Sequence, residues 1–407
     1  MKEKRFWTLR YTLINATYFA AFCTVHAYAA VYLLDRGFTN TQIGILLAVA
    51  NVTSALLQPV VAAVIDRQGF FTNRNVMMIS AALIAAGSVL LLAADTVRTV
   101  VFIVFALMYM VQFTYMPIMT ALNFEYQRKG IRIFYGLARG LGSATFAVTS
   151  AIFGIVVEKK GVRILLYFNI LVMLLQIVIV YFFRLPKEAA AKETKEDRTE
   201  QAPDAEADRV PTASFLTFMK KYPAFTVMLV ATVFLFFTHN MLNDYLIQII
   251  NALGGSEKNL GIATFVAALL ELPTMAVISV ISKKVNMRLL LIIAGISFTI
   301  KSVIMLAAVN IPMVYASQAM QMFAYAVFIP SAAYYVSENI AEEDQVKGQA
   351  FVTSCFTMAG VFSSLLCGVI LDRLGVKEML IIGVVISVIG TMLISYSMYM
   401  SKKVSQK

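Results

Sequence analysis

Five ionisable side chains interrupt long apolar runs in this sequence: Glu125, Arg139, Asp244, Glu271 and Lys301. A charge in hydrocarbon costs ~3 kcal/mol or more, so by default it marks a solute path, a proton relay or a paired site. Glu271 and Lys301 stand almost equally far in sequence from the turn near Val285–Asn286. A helical hairpin therefore brings both to the bilayer middle, where they are expected to pair directly or through water. There Glu271 could carry a proton with an affinity governed by Lys301; the plainer alternative is a pair that only fixes helix packing. Asp244 is the second candidate for proton binding. Glu125 and Arg139 are equally far from Arg132, and an ion pair is available to them. The alternative for Glu125 is solvation at the membrane interface.

Polar residues recur beside these charges at helical spacing. Ser143, Phe146 and Ser150 follow Arg139 on one face, a mixed polar and aromatic wall suited to a polar ligand. Asn240, Asn243, Asp244 and Gln248 share another face, with His239 adjacent. Tyr11, Asn15, Tyr18 and Phe22 form a third, and His26 lies near it. Asn51 and Gln58, Gln112 and Tyr115, and Gln318, Gln321 and Tyr325 add further polar positions. Amides and phenols with few charges suit a neutral polyhydroxylated solute or a nucleoside; Arg139 and Lys301 could equally hold a small carboxylate. The expected wall comprises Arg139, Phe146, Asn15, Tyr18, Gln112, Asn240, Gln318 and Gln321. For any single Asn, a hydrogen bond between helices is the plainer reading.

The elements that must position these groups follow from composition. The chain has 407 residues, 60% hydrophobic and only 14% charged, against about a quarter charged in soluble domains. This excludes a soluble enzyme, a nucleic-acid-binding domain and a disulfide scaffold. The net charge of +11 fits basic cytoplasmic loops. Cys23, Cys355 and Cys367 lie in apolar runs without metal-ligand spacing, and two histidines leave no zinc site. The 22 methionines read as adaptable packing and the one tryptophan, Trp7, as an interfacial anchor. The basic Met1–Arg10 segment has no cleavage site after it, so an uncleaved multi-pass protein is expected.

Twelve segments can span at about 20 apolar residues each. Six lie near 11–33, 42–65, 76–94, 99–124, 134–157 and 163–184. Six more lie near 222–250, 258–282, 288–308, 311–337, 347–371 and 378–400. The fold class expected is all-α integral membrane, with two pseudo-symmetric bundles of six helices, at 1–184 and 216–407. Between them 185–215, rich in Lys, Glu, Asp and Ala, reads as a solvated linker. Most lysines and arginines fall on the side holding both termini and the linker, which is therefore expected to be cytoplasmic, in the plasma membrane.

A repeat ties the halves together. Gly154-Ile-Val-Val-Glu158-Lys-Lys-Gly161-Val-Arg163 matches Gly368-Val-Ile-Leu-Asp372-Arg373-Leu-Gly375-Val-Lys377. A weaker copy, Ala62-Ala-Val-Ile-Asp66-Arg67-Gln68-Gly69, closes the second span. The openings Gln42-Ile43-Gly44-Ile45 and Asn259-Leu260-Gly261-Ile262 also correspond. The small leading residue lets helices approach closely. The acid can pair with a base or cap a neighbouring helix. Asp66, Arg67, Gly69, Gly368, Asp372 and Arg373 are the gating candidates; the plainer reading is ordinary loop ends. Parallel six-helix repeats place a substrate site between the halves.

Across almost its full length the chain resembles a major facilitator superfamily transporter, with Asp66-Arg67-Gln68-Gly69 similar to that superfamily's loop 2–3 signature. Ala62 replaces the usual leading Gly, and the basic run that follows is reduced to Arg74. Within the superfamily it most resembles the oligosaccharide:proton symporter (lactose permease-like) group. That likeness is carried by Phe134-Tyr135-Gly136-Leu137-Ala138-Arg139-Gly140-Leu141-Gly142-Ser143, with Gln58-Pro59 in support. The resemblance implies that Arg139 clamps solute hydroxyls and Phe146 stacks on a sugar ring. Departures are clear: the group's proton-handling Lys, His and Glu are replaced by Gln318, Gln321 and Ala324. Its sugar-binding acid aligns with Ala121, four residues before Glu125.

The sequence lacks a phosphate-binding loop of the GxxxxGK[ST] kind, and no nucleophile or metal constellation suggests an enzyme. The expectation is a secondary active transporter working by alternating access, with no cofactor and the proton as coupling ion. Its partners would be a small polar solute and the lipid bilayer, not nucleic acid, and it would function as a monomer. Organic-anion or nucleoside symport and drug/proton efflux are alternatives, as is a ligand sensor without transport. The absence of a Gly-Pro-rich run in span five tilts the reading from efflux towards uptake.

Overall fold

The computed structural model describes residues 2–67, 69–185, 215–281 and 285–405. Apart from its two end residues, the expected linker falls outside them. The helices are α1 (Lys2–Phe22), α2 (Ala29–Asp35), α3 (Asn40–Asp66), α4 (Asn73–Ala93), α5 (Arg98–Arg128), α6 (Tyr135–Lys160), α7 (Arg163–Phe182) and α8 (Phe215–Lys221). They continue with α9 (Pro223–Asp244), α10 (Leu246–Ala252), α11 (Glu257–Ile281), α12 (Met287–Leu306), α13 (Ile311–Ala319), α14 (Tyr325–Asn339), α15 (Gln345–Arg373) and α16 (Val376–Ser405).

Among the described residues, helix covers most of each of the twelve expected spans. Nine helices among the described residues are individually long and apolar enough to cross a membrane. A tenth crossing is the pair α1–α2, bent by 48°. The remaining two expected spans are filled by α11 and by the interrupted pair α13–α14.

Local chemistry starts several of these helices. Thr39 and Gln42 form a reciprocal capping box at α3, the Thr39 hydroxyl accepting from Gln42 N and the Gln42 amide from Thr39 N. Thr72, Asn286 and Asn310 cap α4, α12 and α13 in the same one-sided sense. Pro223 opens α9, where its missing N–H is harmless. Large apolar side chains such as Leu56, Leu171 and Met392 face outward, as a lipid-facing surface requires.

Helices α1–α7 pack chiefly on one another, as do α9–α16. The main contacts joining the two sets are α3 with α15 and α6 with α11. The first set is fastened at one end by a charge cluster. Asp95, in the turn after α4, accepts from Arg36 Nη1 at 2.7 Å and Arg163 Nε at 2.8 Å. The Arg163 hydrogen bond, reinforced by the charges of Arg163 and Arg36, holds the Asp95 carboxyl below its ordinary range despite burial.

A folded-state acidity stronger than the unfolded value stabilises the fold above the ordinary carboxylate pKa of about 4, and that contribution fades as pH falls below it. Thermal unfolding in detergent should therefore occur earlier as pH drops below ~4. Asp95→Asn should unfold earlier than wild type at neutral pH and show a shallower acid decline. An unchanged acid limb in the variant would remove Asp95 from this account.

Candidate functional site

Two near-identical crossings join the sets at the end remote from the chain termini. At one, Gly44 of α3 lies so close to α15 that an added Cβ would collide with the Ser364 carbonyl oxygen. Gly368, one turn on, meets the Asn40 carbonyl in the same way. At the other, Gly154 of α6 faces Gly261 of α11, and a Cβ on Gly261 would meet the Ser150 carbonyl oxygen and stand 2.9 Å from the Gly154 Cα.

A tyrosine anchors each crossing. Tyr28, at the break between α1 and α2, donates to Ser150 O at 2.7 Å; Tyr245, at the break between α9 and α10, donates to Ser364 O at 2.5 Å. Tyr28 and Tyr245 are separated in sequence by the same interval as Gly44 and Gly261. That shared interval is the signal by which sequence reading, which missed both tyrosines, could have found them.

Of the two options for the motif acids, Asp372 caps a helix. Its Oδ1 accepts from Asn40 N (3.1 Å) and Nδ2 (2.9 Å), and its Oδ2 from Thr41 N (2.7 Å) and Oγ1 (2.6 Å). Asn40 and Thr41 open α3, so the carboxylate meets unsatisfied backbone N–H groups and the positive helix end. Glu158 accepts from the Ser256 hydroxyl, just before α11 begins. Gln248 Nε2 donates to Asn40 Oδ1 at 2.9 Å, adding to the seal.

The weaker copy lies at the opposite end of α3, where Asp66 and Arg67 are exposed and Gly69 turns with φ 141. Arg373 is exposed as well. At that end of α6, Gly136 and Gly140 have nothing within 4 Å of where a Cβ would stand.

Between the sets lies a cavity of about 500 Å³, lined by residues of both, and the crossings pack tightly at the end remote from the chain termini. Its aromatic wall comes from both sides: Phe22, Tyr109, Phe113 and Phe146 from one set, and Phe236, Tyr325 and Phe356 from the other. His26 stacks on Phe22 with ring centres 3.8 Å apart, and His239 lies nearly parallel to Tyr325 at 5.0 Å. Phe113, Phe236, Phe356 and Thr264 line the cavity although their sequence positions carry no polar signal. Asn51 and Asn240, from opposite sets, both lie within 4 Å of where a Cβ on Gly360 would stand.

Arg139 reaches this cavity. Its Nη1 donates to Ser143 Oγ at 2.7 Å and its guanidinium lies 4.2 Å from the Phe19 ring centre. It does not pair with Glu125, which accepts from Asn73 Nδ2 at 2.9 Å and bridges Lys129 at 3.3 Å. A residue count from the turn bears only on level along a hairpin and leaves azimuth free.

Glu271 and Lys301 are likewise not in direct contact. Gln321 stands between them, accepting from Lys301 Nζ at 2.6 Å and donating to Glu271 Oε1 at 2.8 Å. Asp244 accepts from Ser364 Oγ at 3.0 Å, close to the sealed end. Gln318 lines the cavity fully buried, and neither amide atom has a partner among the described residues.

Three expected wall residues sit behind the cavity surface. Asn15 donates to Tyr11 O, Tyr18 donates to Gln112 O and stacks on Tyr115, and all of Asn15, Tyr18 and Gln112 are buried. Tyr18 and Gln112 join α1 to α5, and Asn15 sits in α1 against Gly142 of α6, so the three shape the wall from behind. Phe146, Asn240, Gln318, Gln321, Asp244, Glu271 and Arg139 do reach the cavity.

Comparison with known proteins places this arrangement. A family described as "MFS_1 like family" matches residues 7–382. Among solved structures, a mutant of the nucleoside transporter NupG superposes with TM-score 0.79 at 11% identity, covering 96% of this chain and 99% of that one. The D-xylose-proton symporter superposes with TM-score 0.67 at 14% identity, covering 96% and 97%. No curated protein sequence matches the chain. At these identities the structural likenesses establish the fold alone.

Proposed function

The chain belongs to the MFS_1 like family, a major facilitator superfamily transporter and not an enzyme, and from that premise we propose that it performs proton-coupled uptake of a small, uncharged, hydroxylated solute. The observation that carries this reading is the wall of the cavity. It joins one guanidinium, several amides and rings from both sets at the place where alternating access requires a solute to sit. In this reading Arg139 clamps hydroxyls, as the lactose permease-like resemblance implies, and Phe146 offers an apolar ring face. Asn240, Gln318 and Gln321 supply further hydrogen bonds, and Gln318, buried without a partner among the described residues, gains from a ligand. Glu271 carries the proton, with Asp244 in reserve and Lys301 nearby.

A sugar or glycoside fits the polar wall. A nucleoside fits a second specific observation, the Phe and Tyr rings contributed to the cavity by both sets, Phe19 among them, which exceed what one sugar face needs and suit a planar base. A solved neighbour is named as a nucleoside transporter. In this reading the two bundles work as a monomer in the plasma membrane with both termini cytoplasmic, and uptake delivers solute to that side.

Counterflow in proteoliposomes tests the reading. Liposomes loaded in turn with hexoses, glycosides, nucleosides and small carboxylates should exchange a hydroxylated neutral solute and ignore the carboxylates. Arg139→Ala should raise the half-saturating concentration about 10- to 100-fold, the loss expected of a charge-assisted contact worth roughly 1.5–3 kcal/mol. Exchange confined to carboxylates would overturn the substrate class, and efflux favoured over uptake would overturn the direction.

A further inference from the structure

The tenth span is broken where it meets Lys301 and Glu271. α13 ends at Ala319, the chain makes a tight 3₁₀ turn over Met320–Met322, and α14 restarts at Tyr325. A break at membrane depth is tolerated where it lines a cavity, and this one delivers Gln321, 4% exposed, into the gap between α11 and α12. A primary amide offers an acceptor on one side and donors on the other. Here the acceptor takes Lys301 Nζ at 2.6 Å and a donor takes Glu271 Oε1 at 2.8 Å. The opposite flip would aim N–H at an ammonium and C=O at a carboxylate, so the two partners fix the orientation.

Lys301 is fully buried and, among the described residues, has no carboxylate within ion-pair distance. The other titratable or charged groups facing this trio are Arg139 of α6 and Tyr325 of α14 toward Glu271, and His239 of α9 toward Lys301.

We propose that Gln321 is the positioning residue of the coupling site: its amide keeps the Lys301 ammonium one side chain away from the Glu271 carboxylate, close enough to bias it and too far to lock it in an ion pair. This rests on the reading of Glu271 as the proton carrier. A direct buried ion pair would hold Glu271 ionised and prevent loading. An amide transfers no net charge, so it can hold both partners through the loaded and unloaded states. Without the amide, Lys301 keeps no partner, and an unpaired buried ammonium is costly enough to draw it onto Glu271.

The test is solute uptake by proteoliposomes as a function of external pH, for Gln321→Ala and Gln321→Glu, each with Lys301 present and with Lys301→Met. With Lys301 present, Gln321→Ala should move the half-maximal pH about one unit or more toward acid, the effect of a cation brought to within ~4–6 Å of a carboxylate. Gln321→Glu should move it the other way, because the new carboxylate takes up Lys301 and repels charge on Glu271. With Lys301→Met, Gln321→Ala should produce no acid shift.

A purely structural or solute-binding role would change half-saturation and leave the pH profile in place, or shift it equally with and without Lys301; either result overturns the proposal. Should Lys301→Met not reach the membrane, the opposite signs of the Ala and Glu variants decide it, and shifts in one direction overturn it. Proton-driven accumulation surviving in Glu271→Gln removes the premise itself, whatever the Gln321 series shows.

Discussion

Uptake should fall to background when Gly44 and Gly261 are both replaced by leucine, and the end of the cavity that is sealed here should become reachable from outside. At both positions the atoms in the way are backbone: the Ser364 carbonyl for Gly44, and the Ser150 carbonyl with the Gly154 Cα for Gly261. No rotamer change can relieve such an overlap, so α3 must separate from α15 and α11 from α6. Forcing extra carbons into packed contact costs roughly 1–3 kcal/mol per site, and two separated sites add. The sum approaches the ~5.5 kcal/mol that carries a two-state equilibrium from 99:1 to 1:99.

The measurement is labelling of Gln248→Cys by a membrane-impermeant maleimide, in a background where the three buried cysteines Cys23, Cys355 and Cys367 are replaced. Gln248 sits in the seal, bonded to Asn40, and its labelling should speed up about tenfold or more, the reflection of a shift of at least ~1.4 kcal/mol in the closed population. Gly140→Ala, with open space around it, is the fold control. Normal uptake and unchanged labelling in the double variant would mean that the glycine crossings do not hold this end shut.

Those crossings show what a sequence can disclose and what it cannot. The helices were legible because a run of about 20 apolar residues has few other fates. The Gly154 and Gly368 motifs, and the Gly44 and Gly261 openings, were visible as repeats; that each motif packs on the other half's opening follows only from how helices pair in space. The breaks were hidden. At Cys23–Ala27, Tyr245 and Met320–Met322 no proline or glycine interrupts the chain, while Pro59, Pro117, Pro273 and Pro330 lie within continuous helices. Neighbouring helices therefore decide where this backbone bends. Counting residues from a turn brought Glu271 and Lys301 near a shared partner, Gln321, but did not bring Glu125 to Arg139. It could not give azimuth, and so Gln321 intervenes in one pair while Asn73 and Lys129 claim Glu125 in the other.

Glu271→Gln should abolish accumulation of solute against its gradient. With two units of imposed pH gradient and one proton per solute, wild type can concentrate solute up to about 100-fold, since each unit is worth 1.36 kcal/mol; the variant should stop at equal concentrations inside and out. Glu271 is favoured over Asp244 by position. It faces the cavity beside Arg139 and is linked through Gln321 to a buried cation, so its charge is felt by the solute site. Asp244 also lines the cavity but is tied to Ser364 next to the glycine seal, with no hydrogen-bonded link to a buried cation among the described residues. The same geometry predicts a side effect. Neutralising Glu271 leaves the fully buried Lys301 with the Gln321 amide but no nearby anion, a destabilisation smaller than the roughly 3–5 kcal/mol of breaking a direct buried pair but of the same sign. Glu271→Gln should therefore be poorly stable in detergent, and adding Lys301→Met should restore stability without restoring accumulation. If the double variant is stable and still concentrates solute under a pH gradient, the proton travels elsewhere, and Asp244→Asn becomes the decisive substitution.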